Sequence, residues 1–100
     1  MGAKGGYVYI VSNAKRTVLY IGVTSDLASR IYEHKNAMGS IFTKKYRCFD
    51  LLFYEFFDYI ESAILREKQM KKWKRKWKDE LIFEFNPQKR DLYKDILDFH

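Results

Sequence analysis

A chain of 100 residues has room for one hydrophobic core, so we expect a single domain over residues 1–100. Hydrophobic residues make up 47% of the chain and aromatic residues 18%, which predicts a globular domain and excludes a disordered tail. Apolar runs such as 51–54 fall far short of the ~20 residues that a membrane helix needs. The first six residues show neither a signal-peptide core nor the Ser or Thr of a myristoylation motif, so a cytoplasmic location is expected. A single cysteine, Cys48, excludes an internal disulfide and a multi-cysteine zinc site.

The positive charge of the chain is concentrated in one segment. The formal net charge is +6, and residues 66–78 hold a single acid. The basic residues of that segment are Arg66, Lys68, Lys71, Lys72, Lys74, Arg75, Lys76 and Lys78. Such a patch attracts polyanions, of which nucleic acid is the commonest, although a solvated helix face kept soluble by charge is the alternative. We therefore predict nucleic acid as the partner, with Lys71, Lys72 and Lys74 among the residues that bind it.

Two strands are predicted near the start of the chain. Residues 7–11 and 17–23 are rich in β-branched and aromatic types, and the short polar stretch between them suits a hairpin loop. If the loop spans 13–16, antiparallel pairing places Tyr9 opposite Tyr20. The two phenols would then lie on one face of the sheet.

A helix is predicted over residues 26–36, with Thr24 or Ser25 as its cap. Arg30 and His34 are four residues apart in it, so they share one side of the helix and can act on the same object.

The remaining elements alternate between helical and extended patterns. Asp58 is the predicted cap of a long helix, and the Asn86-Pro87 pair ends the helix that follows it. The predicted bounds are 40–47 for a loop, 49–57 for a third strand, 59–73 and 76–85 for helices, and 90–98 for a last turn or helix.

Glu67 falls in the middle of the apolar stripe of the helix predicted over 59–73. The stripe residues around it are Ile60, Ala63, Ile64 and Met70. A carboxylate in this position either pairs with a core tyrosine or arginine, or it serves as a metal ligand or general base. Taken singly, the other candidates also have ordinary structural explanations: tyrosines and tryptophans pack, and Asn86 forms a turn.

Five short motifs in order resemble the GIY-YIG nuclease domain, and in particular its small stand-alone bacterial members. They are Tyr7-Val8-Tyr9, Tyr20-Ile21-Gly22, Arg30 to His34, Ala63 to Glu67, and Asn86. The resemblance covers about residues 6–93. It implies an α+β fold, with a small three-stranded antiparallel sheet flanked by helices. It also implies a DNA endonuclease that uses one divalent ion, Mg²⁺ or Mn²⁺, in a family that includes DNA-repair enzymes.

The resemblance further implies a set of site residues. Tyr9, Tyr20, Arg30, His34 and Glu67 match the catalytic positions, with Glu67 as the metal ligand, and Asn86 matches a late asparagine counted here with the substrate-binding residues. The residue types suit the chemistry, because Mg²⁺ prefers oxygen ligands and a guanidinium offers two parallel donors to a phosphate. A phenol can accept or relay the proton of the nucleophile once nearby positive charge lowers its pKa.

Two positions depart from the family pattern. Tyr7 stands where the first motif usually has glycine, and Val23 stands where the excision-repair members carry a lysine. Any assistance from that lysine is absent here.

Three functions remain open on the sequence alone. The first is a metal-dependent DNA endonuclease, for which the small surface favours selectivity for DNA structure over sequence. The second is a non-catalytic nucleic-acid-binding module with an idle site. The third is an interaction domain whose basic face binds an acidic protein.

Overall fold

The computed structural model describes residues 5–97 of the chain. This part contains three strands and five helices, joined by loops and turns. Residues 1–4, which carry part of the targeting argument, and Asp98, the end of the last predicted helix, lie outside this part. The elements in chain order are β1 Gly6–Ser12, β2 Leu19–Thr24, α1 Leu27–Lys35, α2 Ile41–Tyr46, β3 Asp50–Phe57, α3 Ile60–Lys71, α4 Arg75–Phe85 and α5 Tyr93–Ile96.

The sheet has the strand order β2-β1-β3, and both pairings are antiparallel. This confirms the predicted α+β class with a three-stranded sheet. Tyr9 and Val11 of the central strand face a core built with α1 and α5, whereas Val8 and Ile10 face a second core built with α3 and α4. Both faces of the sheet are therefore covered by helices, and strand β2 forms one edge.

The predicted register of the first hairpin is wrong by two residues. Tyr9 pairs with Gly22, and Val11 pairs with Tyr20. The reason is a longer connection, residues 13–18, which Asn13 organises: its side-chain oxygen accepts bonds from the backbone N–H groups of Thr17 and Val18. Because the shift is even, Tyr9 and Tyr20 still lie on the same face.

The loop predicted over 40–47 is also wrong, because residues 41–46 form the helix α2. Ser40 accepts a bond from the backbone N–H of Thr43, and the Thr43 hydroxyl accepts one from the backbone N–H of Ser40. This reciprocal pair is a capping box, and it stabilises a helix too short to show apolar periodicity.

Two predicted caps are wrong as well. Asp26, and neither Thr24 nor Ser25, accepts the capping bond of α1 from the backbone N–H of Ser29. Helix α3 begins after Tyr59 with no side-chain cap, so Asp58 does not cap it.

The helices of residues 5–97 include none with both the length and the apolar composition of a membrane span.

Candidate active site

Tyr9, Arg30 and His34 form a hydrogen-bonded cluster between β1 and α1. The Tyr9 hydroxyl lies 2.7 Å from Nε2 of His34, and Arg30 Nε donates to the same hydroxyl at 3.4 Å. Tyr9 and His34 are both buried, whereas the Arg30 side chain is 29% exposed. The guanidinium is therefore the member of the cluster that solvent, and a substrate, can reach.

Two glycines make room for this cluster. A Cβ at Gly22, the residue paired with Tyr9, would overlap the Tyr9 hydroxyl. A Cβ at Gly39 would overlap Nδ1 of His34. Larger residues at either position would thus displace the tyrosine or the histidine.

Thr43 of α2 fixes the proton arrangement of His34. Its hydroxyl lies 3.1 Å from Nδ1 of His34 and 3.2 Å from the Ser40 carbonyl oxygen, to which it can donate. We assign the imidazole proton to Nδ1, donating to Thr43, because Nε2 can then accept the proton of Tyr9. The opposite assignment would leave the Tyr9 hydroxyl accepting from both His34 and Arg30, with no acceptor for its own proton among these groups.

Burial shifts both groups of the Tyr9–His34 pair toward their neutral forms. Desolvation raises the pKa of Tyr9 from 10.0 to about 12, against the opposing effect of Arg30. Desolvation, helped by the charge of Arg30, lowers the pKa of His34 from 6.5 to about 4. Both shifts keep the proton on Tyr9, so this phenol needs added positive charge before it can act as a base.

We expect stability to fall as the pH drops from about 6.5 to about 4 because of His34. The unfolded chain binds a proton at this histidine near pH 6.5, but the folded protein does so only near pH 4. Unfolding is therefore favoured across this window by up to about 3 kcal/mol, and the effect levels off below it. Denaturant unfolding of wild type and of His34→Gln at several pH values measures the difference. Carboxylates contribute to both curves alike, so parallel curves would contradict the prediction.

Tyr20, on the edge strand β2, connects this cluster to α3. Its ring lies 5.9 Å from the ring of His34, and the Lys71 ammonium lies 5.9 Å from the centre of the Tyr20 ring. Lys71 pairs in turn with Glu67, at 3.0 Å between Nζ and Oε2. The structure thus brings all five predicted catalytic residues into one chain of contacts, in the order Arg30, Tyr9, His34, Tyr20 and Glu67, with Lys71 as the link between the last two.

Glu67 lies at the border of the buried face of α3, whose buried residues are Ala63 and Met70. Its side chain is 18% exposed, whereas that of its partner Lys71 is 50% exposed. Within residues 5–97 there is no group of three or more His, Cys, Asp or Glu side chains able to hold a metal ion. A single accessible carboxylate nevertheless fits Mg²⁺, which keeps most of its waters and takes phosphate oxygens as ligands.

The basic segment divides into cations that are bound within the fold and cations that face solvent. Arg66 pairs with Glu55, Lys71 pairs with Glu67, and Arg75 pairs with Asp79 and also donates to the carbonyl oxygens of two hairpin residues. Within this segment, the exposed lysines for which the structure shows no ion pair are Lys68, Lys72, Lys74 and Lys76. We therefore expect Lys72 and Lys74 to contribute more to phosphate binding than the arginines do.

We expect the double change Lys72→Gln and Lys74→Gln to weaken DNA binding similarly for unrelated sequences. It should also reduce the slope of log affinity against log salt by roughly two, since each phosphate contact contributes about 0.9. The control is Lys15→Gln with Lys94→Gln, two exposed lysines outside this segment, which remove the same charge. Anisotropy titrations at several salt concentrations measure both. Equal effects of the two pairs would mean that net charge, and not this segment, sets the affinity.

Asn86 lies away from the other site residues, beside β3 at the opposite edge of the sheet from Tyr20. Its side-chain amide donates to the carbonyl oxygens of Leu52 and Arg90 and accepts from the backbone N–H of Arg90. Leu52 is the extra residue of a β-bulge, so Asn86 satisfies a carbonyl at an irregularity of the sheet. These contacts describe a structural role, and its role in substrate binding stays a prediction.

Sequence reasoning missed Thr43 and the pairing of Lys71 with Glu67. The Ser40-x-x-Thr43 spacing directly after Gly39 indicates a capped helix. It could have identified Thr43, whose hydroxyl forms a hydrogen bond with Nδ1 of His34. Lys71 follows Glu67 by four residues, the spacing at which helical side chains pair.

The fold and this cluster agree with one known class of domain. The family model of the GIY-YIG catalytic domain matches residues 5–80. The chain therefore belongs to the GIY-YIG family, and this membership implies nuclease activity and nucleic-acid binding in general.

The chain is also similar to small bacterial proteins over most of their length. It is 38% identical to UPF0213 protein SSP2268 of Staphylococcus saprophyticus over 78% of this chain and 94% of that protein. It is 34% identical to a UPF0213 protein of Bacillus pumilus over 83% of this chain and 84% of the relative. UPF0213 protein SpyM50708 of Streptococcus pyogenes is 38% identical over 72% of this chain and 77% of its own. No solved structure gives a significant match.

Proposed function

We propose that the protein is a metal-dependent endonuclease that hydrolyses DNA phosphodiester bonds at the edge of strand β2. The observation that carries this proposal is the chain of contacts from Arg30 to Glu67. It combines the side chains that phosphodiester hydrolysis needs: a cation for the phosphate, a proton acceptor, and a carboxylate for a divalent ion.

Arg30 would bind the non-bridging oxygens of the scissile phosphate. Nε donates to Tyr9, and NH1 donates to Glu33 at 2.9 Å. Within residues 5–97 these bonds leave NH2 without a protein partner, and Glu33 holds the plane of the guanidinium. The group is therefore oriented before substrate arrives, with one donor pair available for the charge that develops on the phosphate.

Tyr9 and His34 would handle the proton of the attacking water. The phenol already donates to Nε2 of His34, so its oxygen can accept a proton from water as its own proton moves to the imidazole. Thr43 supports this transfer, because it accepts from Nδ1 and keeps Nε2 as the acceptor. Tyr20 packs against the His34 ring and restricts its orientation.

A divalent ion, when bound, would supply positive charge that lowers the pKa of nearby water and phenol and neutralises the phosphate. Glu67 would hold that ion, Mg²⁺ or Mn²⁺, in place of the Lys71 ammonium with which it is paired in the metal-free protein. Lys71 would then be released toward the DNA backbone.

A plasmid-nicking assay with Mg²⁺ or Mn²⁺, run beside an EDTA control, tests this function. We expect cleavage only with the metal ion, and we expect Arg30→Lys to lose most of it. The substitution keeps the charge and the helix, but an ammonium cannot reproduce the planar fork of a guanidinium. DNA binding in EDTA should change little. Metal-independent nicking, or full activity of Arg30→Lys, would contradict the proposed site.

The ion pair between Glu67 and Lys71 also favours a second candidate, a nucleic-acid-binding module with an idle site. In the metal-free protein this carboxylate is neutralised internally, and Val23 stands where a lysine occurs in the excision-repair members. DNA binding without cleavage under every metal condition would support this second function. Selectivity for DNA structure, a role in DNA repair and a cytoplasmic location stay predictions.

A further inference from the structure

A row of three aromatic rings begins at Tyr20 and continues over helix α2. The ring of Phe42 lies 5.7 Å from that of Tyr20 and is inclined to it by 30°. The ring of Tyr46 lies 4.7 Å from that of Phe42. The row therefore starts at a residue of the candidate active site and leads away from it along the surface.

The outer two rings face solvent. Phe42 and Tyr46 are each 41% exposed, and Thr43 is the one buried residue of α2. Ile41 at the start of the helix is 89% exposed. A six-residue helix that buries a threonine and exposes two rings and an isoleucine is poorly explained by packing within the fold. Contiguous exposed apolar surface of this kind marks a binding surface.

Lysines lie at both ends of the row, and the one at the Tyr20 end, Lys71, is paired with Glu67. The Lys71 ammonium lies 5.9 Å from the centre of the Tyr20 ring, and the Lys45 ammonium lies 5.3 Å from the centre of the Tyr46 ring. Residues 38–49 contain no Asp or Glu but do contain Lys44, Lys45 and Arg47. The α2 end of the row is therefore basic with no carboxylate in its own helix, whereas the ammonium at the Tyr20 end is shared with Glu67.

We propose that this ring row binds unpaired bases of a DNA strand that passes through the active site. Aromatic faces stack bases of any sequence, and flanking lysines bind the phosphates between them, which is how proteins hold single strands. An aliphatic protein partner would gain little from the ammonium groups, whereas a strand of DNA presents both flat rings and negative charge. The inference rests on the proposed function, because it assigns the row to the substrate of the same site.

The test compares binding of one fluorescent oligonucleotide of about twelve nucleotides, single-stranded and as a duplex, in EDTA. The variants are Phe42→Leu and Tyr46→Leu, which remove a ring but keep an apolar side chain. The control is Phe83→Leu on α4, where a phenylalanine is 61% exposed outside the row. Phe42 also packs on Tyr20, so Phe42→Leu can destabilise the fold. If that variant melts at a lower temperature than wild type, the binding of Tyr46→Leu decides the test.

We expect each row variant to weaken single-strand binding on the order of tenfold and duplex binding by less than about twofold. A 2-aminopurine base in the strand should lose less fluorescence on binding to these variants than on binding to wild type. Unchanged single-strand affinity, equal losses on strand and duplex, or the same loss in Phe83→Leu would overturn the proposal.

The two proposals fail in different ways. Metal-dependent nicking by wild type, together with unaltered binding by the ring variants, would reject the ring row and retain the nuclease. If the protein cuts no DNA but its binding of single strands depends on the rings, the nuclease proposal would be rejected and the ring row retained.

Discussion

Tyr9→Phe should lower the rate of DNA cleavage by about 10²–10⁴-fold, the range typical for loss of a group that transfers protons. The ring that packs in the core remains, but the proposed proton path from water through the phenol to His34 would be lost. Folding stability should fall by about 1–3 kcal/mol, because Nε2 of the buried His34 loses its partner. Single-turnover nicking and thermal melts measure the two effects.

Tyr7→Phe is the matched control for this change. Tyr7 lies two residues earlier on the same strand and packs partly buried against the same core. It has no contact with Arg30 or His34 among its described ring contacts and side-chain bonds. We expect the control to cut DNA normally. Normal cutting by Tyr9→Phe as well would mean that the phenol takes no part in the reaction.

Glu67→Gln should abolish metal-dependent cleavage, by at least about a hundredfold, because the neutral amide is a poor ligand for a divalent ion. Stability should change by less than about 1 kcal/mol. The pair lost is one with a half-exposed lysine, and such pairs contribute little. DNA affinity in EDTA should stay equal or rise, since the Lys71 ammonium becomes available to phosphates.

Glu55→Gln is the control here, because Glu55 is another partly exposed glutamate in an ion pair, with Arg66 at 3.3 Å. It should match Glu67→Gln in melting temperature and keep full cleavage. Thermal melts with and without Mn²⁺ add a second measurement, since only proteins with Glu67 should gain stability from the ion. A Glu67→Gln variant that cuts DNA normally, or that unfolds far more easily than wild type, would count against Glu67 as the metal ligand.

The alternation of side chains along the strands predicts that Tyr9 and Tyr20 lie on the same face of the sheet. It does not predict which residues they pair with across the strands. A strand pattern has a period of two, so it assigns a face even when the register is shifted by two residues. The register depends on the Asn13 side chain, which lengthens the turn through bonds to Thr17 and Val18. Local composition gives no measure of that length.

The part of the site formed by α2 was harder to predict for a different reason. Apolar periodicity needs several turns to be visible, and α2 has six residues with one buried. Glu67 illustrates the same limit. The helical pattern placed it in the middle of an apolar stripe, but the buried face of α3 lies to one side of it, because Ala63 and Met70 are buried whereas Ile64 is 39% exposed. Apolar residue types alone do not show which part of such a stripe the rest of the fold covers.

Helix α2 has six residues with one buried, and its capping box is a main source of its local stability. Proteins open locally with free energies far below that of global unfolding, and short helices with little buried surface open most readily. Opening of α2 would remove Thr43 from Nδ1 of His34 and disperse the exposed rings, while the sheet and the larger helices stay folded. The free energy that keeps the site assembled is then the local stability of six residues, so hydrogen exchange of α2 should follow catalytic competence more closely than the global melting temperature does.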